Sequence, residues 1–114
     1  GSAERRSPVC GSRVAVDVQL DGKGRVTALG QEVKACALGQ ASASLMAAHA
    51  LGRTGEELAE ARDSLAAYLA GRQERPGGWP GLEDFAEARR VPARHASILL
   101  PFDAAAEAAA RARG

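Results

Sequence analysis

Between positions 13 and 20 apolar and polar side chains alternate: Val14, Val16, Val18 and Leu20 are separated by Ala15, Asp17 and Gln19. A period of two puts the valines on one face, the pattern of a half-buried strand. Asp21-Gly22-Lys23-Gly24 follows, and its glycines tolerate the positive φ that a tight hairpin needs. A second strand is expected over 25–29, broken by Gly30, and a third over 32–36. Residues 1–9 are polar, carry Pro8 and read as an unsettled lead-in. Three strands with short connections predict an antiparallel meander.

After Gly39 the period lengthens. Ala41, Leu45, Ala48 and Leu51 fall at helical spacing, and Gly52 stands where a helix end favours left-handed backbone. Thr54-Gly55-Glu56-Glu57 reads as a capping box, in which the threonine and Glu57 satisfy each other's orphan amides. The helix it opens carries Leu58, Ala61, Leu65, Tyr68 and Leu69 and stops at Gly71. Residues 72–81 are loop, with Trp79 expected to anchor it by burying its ring. A short helix fits 82–89 around Phe85, and Pro92 keeps Val91 extended. The last helix is alanine-rich, over 102–112, or from near Ala93 with Pro101 as a kink. Strands first and helices after predict an α+β fold in one domain, 1–114: a three-stranded antiparallel sheet with helices packed on one face.

Charge and composition mostly exclude. Fifteen basic residues face 14 acidic ones, a net charge of +1, and no basic block is interleaved with aromatics. Nucleic acid is therefore not an expected partner. No apolar run approaches the roughly 18 residues of a membrane span, and no signal-peptide pattern is visible. Two cysteines make no disulfide framework, so a reducing, cytoplasmic setting is expected, where cysteines tend to bind metal or react. The apolar share is 46%, but much of it is alanine. Such a core leaves a metal or partner room to add stability.

The candidate chemistry lies in Cys10, Cys36 and His95, all at the ends of predicted elements, where side chains can converge without disturbing the core. Helix N-terminal amides near Gly39 and Ala96 would favour the thiolate, the metal-binding and reactive form. The bland alternative is two thiols packed as small hydrophobes. His49 has no partner one turn on and reads as structural; Ser42 and Ser44 read as small packing residues, since no His/Asp arrangement accompanies them. Arg89, Arg90 and Arg94 read as a solvated face, or as a surface that meets an acidic partner.

Three stretches carry a resemblance: Ser7-Pro8-Val9-Cys10-Gly11, then Cys36 with Ser42-Ala43-Ser44-Leu45 behind it, then His95-Ala96-Ser97-Ile98-Leu99. Together they are similar to the U-type iron–sulfur scaffold family (IscU, SufU and the N-terminal part of NifU). Its pattern is P-x-C-G-D, a second cysteine about 26 residues on followed by S-x-S-L, and later H-C-S-I-L or K-C-A-T-L. The Thr54-to-Leu58 segment resembles that family's helix-to-helix junction, and the loop around 76–82 resembles the insertion of the SufU branch. The resemblance implies a three-stranded antiparallel sheet covered by helices. It also implies a non-enzymatic role in building or relaying iron–sulfur clusters, with sulfur from a cysteine desulfurase. By position Cys10, Cys36 and His95 match three ligands, for a labile cluster, iron or zinc. Ser12 stands where the family has aspartate and Ala96 where it has its third cysteine. A closed site takes about four ligands, so a homodimer sharing ligands would complete one. Two other functions fit parts of the pattern. Cys10-Gly11-Ser12-Arg13-Val14 fits the C-x-S-x-V context of a SufE-like sulfur acceptor, and the missing ligands fit a paralogue kept as an interaction module.

Overall fold

The computed structural model describes residues 1–7 and 11–113. Its sheet has three antiparallel strands in the order β1 (Ser2–Arg6), β2 (Arg13–Leu20) and β3 (Val26–Lys34). It is a meander as expected, but two of its members differ from the sequence expectation. The lead-in is a strand: only Ala3 of β1 is buried, so the segment shows no alternation and is held by its ladder to β2. Short, charged edge strands of this kind carry little hydrophobic signal. The expected second and third strands are one, running through Gly30, which pairs with Asp17. Ladder bonds on both sides of that glycine outweigh its poor strand propensity, because sheet pairing depends on context more than on the residue.

Val14, Val16 and Val18 point inward from β2 and Val26 from β3, as their alternation requires. Helices α1 (Ala37–Ala50) and α3 (His95–Arg113) cover that face, and α2 (Gly55–Leu69) packs on α3. The buried face of α1 is not the one its leucines suggest. Gly39, Ser42, Ala43, Met46 and Ala50 face inward, while Ala41 and Ala48 are exposed and Leu51 is 63% exposed. The phase is set by close packing on α3, which only small side chains allow. A Cβ added at Gly39 would stand 2.6 Å from the Ala35 Cβ and 3.5 Å from the Ser97 carbonyl oxygen. Ser42 is fully buried and donates its Oγ to the Ile98 carbonyl at 2.5 Å, across the same contact.

The capping box forms. The Glu57 amide donates to Thr54 Oγ1 at 3.2 Å, and the Thr54 amide to Glu57 Oε1 at 3.1 Å. Gly52, at φ 85°, turns the chain between α1 and α2, and its amide donates to the Val26 carbonyl at 2.8 Å, tying that turn to β3. The face Leu58, Ala61, Leu65, Tyr68 and Leu69 is buried as its spacing predicts. Trp79 is buried too: its Nε1 donates to the Leu45 carbonyl at 3.3 Å, and its ring meets Phe102 edge-on at 5.4 Å and His49 at 6.4 Å. Fully burying a ring such as Phe102 contributes about 1.5–3 kcal/mol.

The segment Leu82–Arg90 is a 3-10 helix. Its buried residues, Leu82, Phe85 and Ala88, recur every third position, which suits three residues per turn rather than 3.6. A second short 3-10 turn, Pro92–Arg94, leads into α3. This last helix starts at His95 and contains Pro101 within it. Alanines 104, 105, 106, 108 and 109 are all buried, since α3 packs on β1 and β2 as well as on α1 and α2. Among the described residues no helix is long and apolar enough to cross a membrane.

Candidate functional site

Arg13 pairs with Lys34, so the chain entering β2 and the chain leaving β3 meet at one end of the sheet. Two residues beyond Lys34 the backbone turns into α1. Cys36 is its N-cap, with φ −67° and ψ 175°, and it is exposed. It therefore caps a helix rather than ending a strand, as the sequence suggests. A cysteine side chain cannot replace the oxygen of a usual N-cap, and no side-chain capping bond forms. Cys36 thus stands at the end of α1 that carries the positive pole of the helix dipole.

The α1–α3 contact at Gly39 and Ser97 brings the start of α3 to the same end. His95 opens that helix and is half-buried. Its Nε2 lies 2.8 Å from the Ala88 carbonyl oxygen. A carbonyl only accepts, so Nε2 is the donor, and in the neutral ring Nδ1 is the nitrogen with the lone pair able to ligate. Ala96 is exposed and offers no donor. Ser12, just before β2, is buried. Cys10 lies outside the described residues, in the connection whose ends are joined by bonds from the Ser7 amide to the Ser12 carbonyl (2.9 Å) and from the Gly11 amide to the Ser7 carbonyl (3.1 Å).

Cys36 and His95 thus stand at the starts of two helices packed together at that end, where β2 also begins. Among the described residues no group of three or more His, Cys, Asp or Glu side chains could hold a metal ion. The donor chemistry of Cys36 and His95, a thiol and an imidazole, suits soft metal or iron–sulfur cargo. Ser7 Oγ is buried in the connection between β1 and β2 without a hydrogen-bond partner among the described residues.

The electrostatics of this end are basic on the sheet side. Arg6, Arg13 and Lys34 border a hollow with Ser7, Gly11 and Ser12. Arg13 is held by Glu4 at 2.5 Å and Glu32 at 3.6 Å. The hydrogen bond from Arg13, reinforced by Arg6, holds the Glu4 carboxyl below its usual range. On the helical side Leu38, Phe85, Ala88 and Val91 line an apolar hollow with Asp84, Glu87 and Arg94 around it. A separate groove between α2 and α3, with Arg5, Arg62, Asp103 and Glu107, lies toward the far end of α3 and holds none of the candidate ligands.

Sequence reasoning missed Arg89. It is not part of a solvated face: its guanidinium donates to the Tyr68 carbonyl at 2.8 Å and the Gln73 carbonyl at 3.0 Å and stacks 4.4 Å from the Tyr68 ring centre. Nothing in a lone arginine beside Arg90 signals such a clamp. Arg90 and Arg94 are exposed. Ser42 packs as expected, whereas Ser44 faces solvent.

No protein-family model and no curated protein matches the chain. Solved structures do. The chain is 41% identical to a nitrogen-fixing NifU-like protein (N-terminal) from Brucella abortus, over 99% of its own length and 78% of that chain, with a TM-score of 0.89. It shares its fold, at 23% identity and a TM-score of 0.85, with a protein from Fervidobacterium islandicum described as an iron–sulfur cluster assembly scaffold for the SUF system; the match covers 95% of this chain and 79% of that one. With that degree of identity along almost all of its length, the chain belongs to the U-type scaffold family of NifU-like N-terminal domains.

Proposed function

We propose that this protein is a non-catalytic iron–sulfur cluster assembly scaffold or carrier. It holds a labile cluster, iron or zinc as cargo through Cys10, Cys36 and His95, and relays it from a cysteine desulfurase system in a reducing cytoplasm. The observation that carries this reading is the placement of Cys36 and His95 at the starts of two helices packed together at Gly39 and Ser97, within a NifU-like fold. Each side chain has a part. Cys36 supplies a thiolate at the positive pole of α1. His95 supplies Nδ1, because Nε2 is engaged by the Ala88 carbonyl. Cys10 supplies the second thiolate. Three donors leave one coordination position open, which suits cargo that must be handed on. A second copy of the chain, or a small thiol, fills that position while the cargo is held.

The test is reconstitution of oxygen-free protein with ferrous iron and sulfide. The expected result is visible thiolate-to-iron absorption in the wild type, greatly weakened in Cys36→Ser and in His95→Ala. A colourless wild type that also retains no zinc would sink the proposal.

A further inference from the structure

We propose that Arg89 is the positioning residue for His95: it clamps the 3-10 helix onto α2 so that the Ala88 carbonyl holds His95 Nε2, leaving Nδ1 as the ring's ligating atom. The proposal rests on the reading of His95 as a ligand, and it begins with a weakness of the fold. A nine-residue 3-10 helix is long for its kind, since its hydrogen bonds are poorly aligned. Its own backbone does little to hold its last turn in place, so that turn depends on what it is tied to.

Three contacts tie it. Arg89 Nε donates to the Tyr68 carbonyl, in the last turn of α2, at 2.8 Å. Arg89 Nη2 donates to the Gln73 carbonyl, in the loop that follows, at 3.0 Å. The guanidinium plane also stacks on the Tyr68 ring at 4.4 Å. A rigid fork with several donors can hold two carbonyls at once, which an ammonium cannot do with the same geometry. The arginine is half-buried, so these bonds are partly shielded from water.

The residue next to this clamp is Ala88, and its carbonyl accepts twice. It takes the Val91 amide at 2.9 Å, which ends the 3-10 helix, and His95 Nε2 at 2.8 Å. Both lone pairs are therefore used, and a small displacement of the turn disturbs both bonds together. Partners of this kind fix the tautomer and orientation of a ligating histidine, and their loss typically costs about 10–100-fold in metal affinity. Arg89 touches no cargo and acts only through Ala88.

The decisive measurement needs no metal. In apo protein labelled with ¹⁵N, the His95 Nε2–H proton should be visible and protected from exchange with water. In Arg89→Met, which keeps the aliphatic stem but loses every donor, that proton should exchange at least about tenfold faster while the far-UV spectrum and backbone amide protection in β2 stay unchanged. Arg89→Lys, able to keep one carbonyl, should fall between the two and stands in if the methionine variant does not fold. Titration with cobalt(II) should show about tenfold weaker binding in Arg89→Met than in wild type. A rapidly exchanging Nε2–H in wild type, or protection unaltered in both variants, overturns the proposal. Equal cobalt affinity in wild type and variant also overturns it. A wild type that binds no cobalt sinks the cargo reading instead, and the proton-exchange comparison still decides the role of Arg89.

Discussion

Ala96 and Ser12 occupy the two positions where the family's pattern has its third cysteine and its aspartate, and their surroundings differ. Ala96 is exposed in the first turn of α3, so a thiol placed there displaces nothing. Ser12 is 4% exposed, so a carboxylate there loses its water. Burial penalises the charged form and is offset only by a nearby cation or by hydrogen bonds. Arg6, Arg13 and Lys34 border the same hollow and offset part of that penalty, so Ser12→Asp should destabilise the apo protein by no more than about 1–3 kcal/mol, the cost of an unsatisfied buried polar group. Zinc should return much of that loss, because the cation stabilises the carboxylate. Ala96→Cys should leave apo stability within about 0.5 kcal/mol of wild type, as exposed substitutions usually do. It should tighten zinc binding by more than the roughly 10–100-fold that an outer-shell partner contributes. Thermal unfolding of both variants with and without zinc tests this. No stabilisation of Ser12→Asp by zinc beyond that of wild type, or no tightening in Ala96→Cys, would show that these positions do not face the cargo.

Among the elements, α2 has the strongest local specification, and its start makes a pH prediction. The Thr54 amide bonded to the Glu57 carboxylate, with help from Arg53, holds the Glu57 carboxyl below its usual range. A depressed folded-state value means that its contribution is fully present above the unfolded-state value, and is lost as pH falls through the lower folded one. Below that point the box loses its charged acceptor. Glu57→Gln should flatten this acid-side loss, whereas Thr54→Ala should cost about 1 kcal/mol at neutral pH. Chemical denaturation across the acid range separates the two effects, and a Glu57→Gln protein with the same acid slope as wild type would exclude Glu57 as its source. This element was legible in the sequence because its signals are local: a cap, then a first-turn acid and an apolar face within a helix of 15 residues. The phase of α1 was not, since contacts with Ser97 and Ile98, more than 50 residues on, choose which small residues turn inward. β1 and the continuity of β3 were hidden for a related reason, because ladder bonds from β2 hold segments whose side chains announce nothing. The candidate site was legible as a set of residue types and spacings. Its supports were not, because Ala88 contributes a main-chain oxygen and Arg89 is bound by carbonyls.

At the scale of the molecule, the candidate donors come from three distant parts of the chain: residue 10 ahead of β2, residue 36 at the start of α1 and residue 95 at the start of α3. No two of them can be brought together by local structure alone, so cargo bound there closes the whole fold and binds the native state in preference to the unfolded one. Mass action then sets the size of the effect. At a free metal concentration 100 times Kd, the gain is about 2.7 kcal/mol. For a chain of 114 residues a change of 1 kcal/mol moves Tm by about 4 °C, so saturating zinc should raise it by roughly 10 °C. Because the donors span most of the chain, the shift should appear in the global transition read by far-UV signal, not as a separate local step. Cys36→Ser should remove nearly all of it, while Ser44→Ala, on the solvent side of α1, should remove none. Protein concentration identifies the fourth donor. If a second copy provides it, the zinc-induced shift grows with protein concentration, and a zinc-dependent dimer appears in sedimentation. If a small thiol provides it, the shift follows the thiol concentration, and the protein sediments as a monomer throughout. A zinc-saturated wild type with an unmoved Tm would mean that Cys36 and His95 do not hold the metal in the folded chain.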